Sequence, residues 1–212
     1  MTAHHALKLY RHPLSGNAHR VELFLHLLNL DYEQIDVDLM GREQKSESLR
    51  ALNPKGQVPV LIDGDDVILE STAILVYLAT KYDNGVWLPQ APEAASAVQF
   101  WLTRTNTDIA NGPAAARLVS LFGAPLDSAA ALATGKTALA ELEQTLSNAD
   151  YLAATHATSA IVACVAVYAY VAHAPEGGLS LAPYPNVLNW ISRIQSLPGF
   201  VPMQSSTIPD AA

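Results

Sequence analysis

Ser15, Val58-Pro59 and Glu70-Ser71 are the residues of this 212-residue chain whose types and places suit a shared chemistry. Ser15 stands at the start of a run in which Val21, Phe24, Leu25 and Leu28 recur at helical spacing. Glu70-Ser71 ends an extended stretch and opens a second helical run. Backbone N–H groups at two helix N-termini make a ready anion site. A residue before proline is held extended, so Val58 can pair its N–H and C=O with a peptide. Glu70 suits an ammonium group, and Ser71 with its N–H suits a carboxylate. The implied ligand is a short peptide with a free amino group and free carboxylates. Each piece also has a plain structural use. Ser15 and Ser71 are good helix caps, Glu70 fits a first helical turn, and Pro59 can open a strand. Their order and spacing together are what point to a site.

The elements that must hold these residues can be read from the spacing of apolar side chains. "LKLYRHP" alternates and predicts a strand; Ser15 to Asn29 predicts a helix; "DYEQIDVDL" alternates again. "REQKSESLRALN" has a helical rhythm that stops at Asn53-Pro54. "QVPVLIDGDDVILES" predicts two short strands joined at Asp63-Gly64, and "STAILVYLATKY" returns to helix. The order β-α-β-α-β-β-α occupies residues 1–82, and 83–92, with Asn84-Gly85 and two prolines, read as a linker. Residues 93–212 show helical spacing throughout. The expected fold is an α/β domain followed by an all-α domain. Val98, Trp101, Leu102, Thr105 and Ile109 mark the first helix of the second half, and Gly112-Pro113 is expected to kink or interrupt it. The stretch from Tyr151 to Pro175 has no Asp, Glu, Lys or Arg. Its purely apolar part, from Ala160 to Ala172, is much shorter than the ~20 residues of a membrane span, so it predicts a buried helix.

Composition narrows the partners. The net charge is -8 and no Lys/Arg cluster is present, which argues against nucleic acid and anionic membranes. A single cysteine, Cys164, excludes an intramolecular disulfide and a C-x-x-C redox pair, and suits a reducing cytoplasm. The N-terminal "MTAHHALKLY" lacks the apolar stretch of a signal peptide. "ATGKT" at 133–137 lacks the first glycine of a phosphate-binding loop, having Ala130 there, and lies inside a helical run. His19 and His26 are two turns apart and do not converge on one metal, so no metal is expected. There is no G-x-S-x-G nucleophile elbow.

"LYRHPLSGNAHRVELFL", "NPKGQVPVLIDGDDVILESTAILVYLATKY" and "PYPNVLNWISRIQSLPGF" resemble a cytosolic glutathione transferase of the bacterial type, along essentially the whole chain. The resemblance implies a thioredoxin-like first domain, a homodimer, and glutathione as co-substrate. It implies a cis Val58-Pro59 bond, with Val58 pairing the cysteinyl backbone of glutathione and Glu70 and Ser71 holding its γ-glutamyl end. Lys55 and Gln57 match positions that lie near the tripeptide. Classes with a catalytic cysteine are excluded, because no Cys precedes Cys164. Ser15 matches the catalytic Ser of theta- and delta-like enzymes, which conjugate hydrophobic electrophiles. Ser15-x-Asn17 also matches the Thr-x-Asn pair of the nu-like class, which favours disulfide or peroxide reduction. Tyr10 lies near where other classes place a catalytic Tyr. The expected order of importance is Ser15, Asn17, Tyr10. Tyr10, Trp101, Arg104 and Asn111 are candidates for the second-substrate pocket, with the helix at 93–122 as one wall. A non-catalytic glutathione-binding module remains a further alternative. The chain departs from the family at the start of its buried helix. A Ser/Thr-x-x-Asp capping box is replaced there by Ile161 and Cys164, so Thr158 or Ser159 is expected to cap and Cys164 to be buried.

Overall fold

The computed structural model describes residues 7–153 and 161–206. Strands β1 (Leu7–Arg11), β2 (Tyr32–Asp36), β3 (Val60–Asp63) and β4 (Asp66–Leu69) form one mixed sheet in the order β2-β1-β3-β4. β1 and β2 are parallel, as the intervening helix α1 (Gly16–Leu27) requires; β3 runs antiparallel to both β1 and β4. The β3–β4 hairpin turns at Gly64, whose φ of 62° suits a two-residue loop. The short helix α2 (Glu47–Leu52) precedes β3, and α3 (Ser71–Tyr82) follows β4. Leu9 of β1 and Leu61 of β3, with Val21, Phe24 and Leu25 of α1 and Ile74, Leu75 and Leu78 of α3, form a core in which none is exposed. The sequence pattern had placed these elements in this order.

The second half is helical: α4 (Pro92–Arg104), a π-helical segment (Thr105–Ala114), α5 (Ala115–Phe122), α6 (Ser128–Leu146), α7 (Val162–Ala172) and α8 (Pro185–Gln195). The interruption expected at Gly112-Pro113 does not occur as a break. The backbone widens instead, and the Ala115 N–H reaches the Ala110 carbonyl five residues back. A wider turn accommodates a proline that has no N–H to give and whose ring crowds the preceding turn. Gly112 is needed for a second reason. A Cβ there would lie 2.7 Å from the Gly135 nitrogen, so α6 could not approach the widened segment this closely.

Helix α7 is buried on every side from Val162 to Val171, as its lack of charge leads one to expect. Ile161 occupies its N-cap and cannot accept a hydrogen bond through its side chain. The free Val162 N–H is satisfied by the Trp87 carbonyl at 3.0 Å, so a backbone group from the inter-element segment replaces the missing capping box. Thr158 and Ser159, the expected caps, lie outside the described residues. Cys164 is fully buried, its sulfur accepts the Leu152 N–H, and burial pushes its thiol pKa up, which disfavours the thiolate.

His19 links α1 to the C-terminal segment. Its Nε2 donates to the Val201 carbonyl at 3.0 Å, while Nδ1 is buried with no partner among the described residues. Burial pushes its pKa down to about 4, against the opposing pull of the Val201 carbonyl. The folded state therefore binds fewer protons than the unfolded chain between about pH 6.5 and 4, and stability present above that window is lost on acidification through it. Between pH 7 and 5 the wild type should lose about 2 kcal/mol more unfolding free energy than His19→Gln. Urea titrations of both proteins at the two pH values measure this; parallel losses would show that His19 is not the sensor.

Candidate functional site

The sheet register brings the candidate residues together. Tyr10, Val60 and Leu69 stand in one row across β1, β3 and β4. Antiparallel pairing places the end of β1, the start of β3 and the end of β4 at the same edge. The segments that continue from this row carry Ser15, Val58-Pro59 and Glu70-Ser71. All five line one cavity of about 320 Å³ with Asn17 and Gln57, a size suited to a small ligand.

Ser15 is the N-cap of α1, and its Oγ accepts the Ala18 N–H at 3.2 Å. A hydroxyl has two lone pairs and one proton, so capping leaves the proton free to donate into the cavity. Asn17, two residues further on in the first turn of the same helix, is exposed. The Val58-Pro59 peptide is cis. Val58 lies outside the β3 ladder, whose pairing begins at Val60, so its N–H and C=O have no strand partner. Asn53 braces this turn from within: its Nδ2 donates to the Gln57 carbonyl at 2.9 Å, and its Oδ1 accepts the Lys55 N–H. Lys45 reaches across to the carbonyls of Lys55 and Gly56 at 2.8 and 2.9 Å.

Glu70 adopts φ 65°, ψ 116° at the N-cap of α3, a conformation that costs a non-glycine residue ~1–3 kcal/mol. Glu70 rather than Ser71 occupies the cap position, with no side-chain cap bond, so the reading of Ser71 as a cap does not hold. Ser71 is the first helical residue, buried, and its Oγ accepts from the Arg20 guanidinium at 3.2 Å. The exposed Glu70 carboxylate pairs with Lys55 Nζ at 2.7 Å. Lys55 itself does not line the cavity but is bound to a residue that does.

The far wall comes from the helical half: Leu118 and Phe122 of α5 and Tyr170 of α7. Leu118 is 39% exposed, which leaves an apolar surface open beside the polar edge. None of Tyr10, Trp101, Arg104 and Asn111, expected at a second-substrate pocket, lines this cavity. Tyr10 is held in the sheet between Ile35 and Val60. Trp101 is buried against the core, and Arg104 forms ion pairs with Asp108 and Glu141 in a separate depression beside α6. Asn111 is exposed elsewhere on the π-helical segment. For Asn111 the reason is geometric: π-helical turns take extra residues, so a 3.6-residue phase read from Val98 no longer predicts the facing side within and beyond them. Trp101 and Arg104 lie on the regular turns before that segment, where spacing alone does not say which side meets the cavity. Leu118 and Phe122 lie in the 93–122 stretch expected as one wall, although neither was singled out there; Tyr170, Asn53 and Lys45 were missed, and only the Asn53-Pro54 turn carried a local signal.

Residues 5–80 match the family model "Glutathione S-transferase, N-terminal domain". Glutathione S-transferase 3 of Zea mays is 45% identical over 97 residues, covering 45% of this chain and 44% of the relative. The chain thus aligns with less than half the length of this and other curated relatives that it matches. Glutathione S-transferase F13 of Arabidopsis thaliana is 31% identical over 207 residues, covering 92% of this chain and 94% of the relative. The chain belongs to the glutathione S-transferase family. A glutathione S-transferase structure from Pseudomonas fluorescens agrees with this placement: TM-score 0.86 and 34% identity, over 94% of this chain and 99% of that one. The thioredoxin-like sheet and the helical half are those of the glutathione S-transferase fold.

Proposed function

We propose that this protein is a glutathione transferase that binds glutathione, stabilises its thiolate and directs it at a hydrophobic electrophile. The observation that carries this reading is one cavity with a polar edge of Ser15, Val58, Glu70 and Ser71 and an apolar wall of Leu118, Phe122 and Tyr170. Glutathione would lie along the polar edge. Val58 would pair with its cysteinyl backbone, Glu70 would take its ammonium from Lys55, and Gln57 would lie beside the tripeptide. The electrophile would rest on the apolar wall. Residues 1–82 would be the glutathione domain and 93–212 the helical one. We place the enzyme in the cytoplasm as a homodimer; among the described residues no helix is long and apolar enough to cross a membrane.

The chemistry follows from the thiol. A free cysteine thiol titrates near ~8.5, so little is ionised at neutral pH. Lowering that value by ~2 units takes ~2.7 kcal/mol of differential stabilisation. A hydrogen bond to a charged group supplies roughly 1.5–3 kcal/mol, and the N-terminus of α1 adds to it. Ser15 donates its proton to the sulfur and is not itself a nucleophile. The thiol proton goes to solvent, the thiolate forms the carbon–sulfur bond, and the leaving group, where there is one, departs with the electron pair of its own bond.

A second reading, glutathione-dependent disulfide or peroxide reduction, is favoured by Asn17, whose amide lines the same cavity beside Ser15. Calorimetry with glutathione, followed by conjugation and disulfide-reduction assays on wild type, Ser15→Ala and Asn17→Ala, tests both. Binding in the micromolar to millimolar range with conjugation dependent on Ser15 is expected. No binding at millimolar glutathione would overturn the enzyme reading, and loss of disulfide reduction in Asn17→Ala alone would favour the second.

A further inference from the structure

Arg117 of α5 is buried and does not line the cavity, yet one of its donors reaches the residue next to Ser15. Its guanidinium points three ways. Nε donates to the Glu176 carboxylate at 2.6 Å, Nη2 to Ser206 Oγ at 3.4 Å, and Nη1 to the Leu14 carbonyl at 2.6 Å. The first two contacts stay within the helical half and its C-terminal segment; the third crosses to the turn before α1. The rest of this hub is complete without the third contact. Glu176 Oε1 also takes His173 Nδ1 at 2.7 Å and the Ser206 N–H at 3.0 Å, and Oε2 accepts the Ser206 hydroxyl at 3.0 Å. Gly177 lets the turn that carries Glu176, Ala174–Gly177, sit this close, since a Cβ there would lie 2.6 Å from the Arg117 nitrogen.

Replacing a buried ion pair by apolar side chains of similar volume often costs no stability, so stability alone does not account for a guanidinium at this place. Its rigid fork does what an apolar side chain cannot: it carries one donor out of the hub in a set direction. That donor meets the peptide between Leu14 and Ser15. The N–H of the same peptide, on Ser15, donates to the His12 carbonyl at 2.9 Å. Both polar groups of the plane are held, one from each side, so the plane resists turning about its flanking bonds. This keeps Ser15 at φ -86°, ψ 110°, where its Oγ meets the Ala18 N–H and lies on the cavity wall.

We infer that Arg117 is a positioning residue for Ser15: it fixes the Leu14–Ser15 peptide and so holds the serine hydroxyl where it meets the glutathione sulfur, while Glu176 and Ser206 set the direction of the guanidinium. The inference rests on the thiolate reading above. The reactive turn of the first half is thus aligned by a charged hub built in the second, and the C-terminal segment, through Ser206, takes part in that alignment.

The test is a double-substitution cycle read on the sulfur. The pKa of the bound glutathione thiol, from its thiolate absorbance in the ultraviolet, is measured with turnover and calorimetric affinity in wild type, Arg117→Lys, Ser15→Ala and the double variant. Arg117→Lys keeps a charge beside Glu176 but, as a point donor, cannot also hold the Leu14 carbonyl. With Ser15 present it should raise the bound thiol pKa by about 0.5–1 and lower turnover about 3- to 10-fold, with glutathione affinity changed less than about 2-fold. In the Ser15→Ala background it should change neither pKa nor turnover further, because the group it positions is gone. A residue that only stabilises the fold would leave the thiol pKa unmoved, or lower turnover by the same factor in both backgrounds; either result overturns the inference alone. If the wild type binds no glutathione, or if Ser15→Ala leaves the bound thiol pKa unchanged, the thiolate reading itself fails and takes this inference with it. Should Arg117→Lys not fold, Ser206→Ala takes its place, since it removes the acceptor of Nη2 and one donor to Glu176 at a partly exposed position. A rise of about 0.3 in the thiol pKa that needs Ser15 supports the inference; no rise, or an equal one without Ser15, overturns it.

Discussion

Replacing Ser15 by Ala is expected to lower conjugation turnover by about 10- to 150-fold, the rate equivalent of losing one hydrogen bond to a charged sulfur. The pH–rate profile should shift alkaline by about 1–2 units, because the same bond holds the thiol pKa down. The substitution also removes the acceptor for the Ala18 N–H, so unfolding free energy should fall by about 1 kcal/mol. The two losses separate in Ser15→Asp. Aspartate caps a helix as well as serine does, so stability should be regained. It has no proton to donate and carries a negative charge toward the sulfur, so turnover should stay lost. Steady-state rates and urea titrations on the same three proteins read both effects. If Ser15→Asp conjugates at the wild-type rate, the hydroxyl is a cap and nothing more; if Asn17→Ala alone is impaired, thiolate stabilisation belongs to Asn17.

Arg117→Met is expected to cost about 3–5 kcal/mol of stability, the usual consequence of removing one member of a buried ion pair. Glu176 would keep three donors, from His173 Nδ1 and from the Ser206 N–H and hydroxyl, but lose the buried guanidinium. Burial alone would raise the Glu176 pKa; the hydrogen bonds of His173, Ser206 and Arg117 outweigh it and hold the carboxyl below its ordinary value. That contribution is present above the ordinary carboxylate range and is lost as pH falls through the depressed pKa. Arg117 Nη1 also donates to the Leu14 carbonyl at 2.6 Å, immediately before Ser15. The pair thus ties α5, the turn after α7, the C-terminal segment and the start of α1 together. Guanidinium-free denaturation in urea gives the magnitude, and the double substitution Arg117→Met/Glu176→Leu should lose less than the single one, since no orphan charge remains. A single-substitution loss under 1 kcal/mol would show that the carboxylate finds other compensation.

Buried charge is the feature that the linear pattern hid most completely. Nothing in the spacing around Arg20 and Arg117 marks them as buried, because the partner of each lies far away in the chain: Ser71 for one, Glu176 for the other. The apolar wall was hidden for a different reason. Helical phase predicts a facing side only while the helix keeps its pitch, and the π-helical turns between Arg104 and Ala115 shift that phase before Leu118 and Phe122 are reached. Trp101 and Arg104, on the regular turns before it, were legible as helical but face the core and α6.

What the amino-acid sequence determined by itself was the order of elements and the residues along the polar edge of the cavity. The change between two-residue and 3.6-residue spacing marks each element, and Ser15, Val58-Pro59 and Glu70-Ser71 fall at boundaries where chain direction must change. Local sterics and capping chemistry operate over a few residues and so are visible in a short stretch. The tertiary structure decided the rest. Antiparallel pairing put Tyr10, Val60 and Leu69 in one row and so gathered three boundaries at one edge. Packing of the helical half supplied Leu118, Phe122 and Tyr170, and gave one buried arginine a carboxylate partner and the other none among the described residues. Those choices depend on which surfaces meet, a property of the packed chain that spacing along a single segment does not encode.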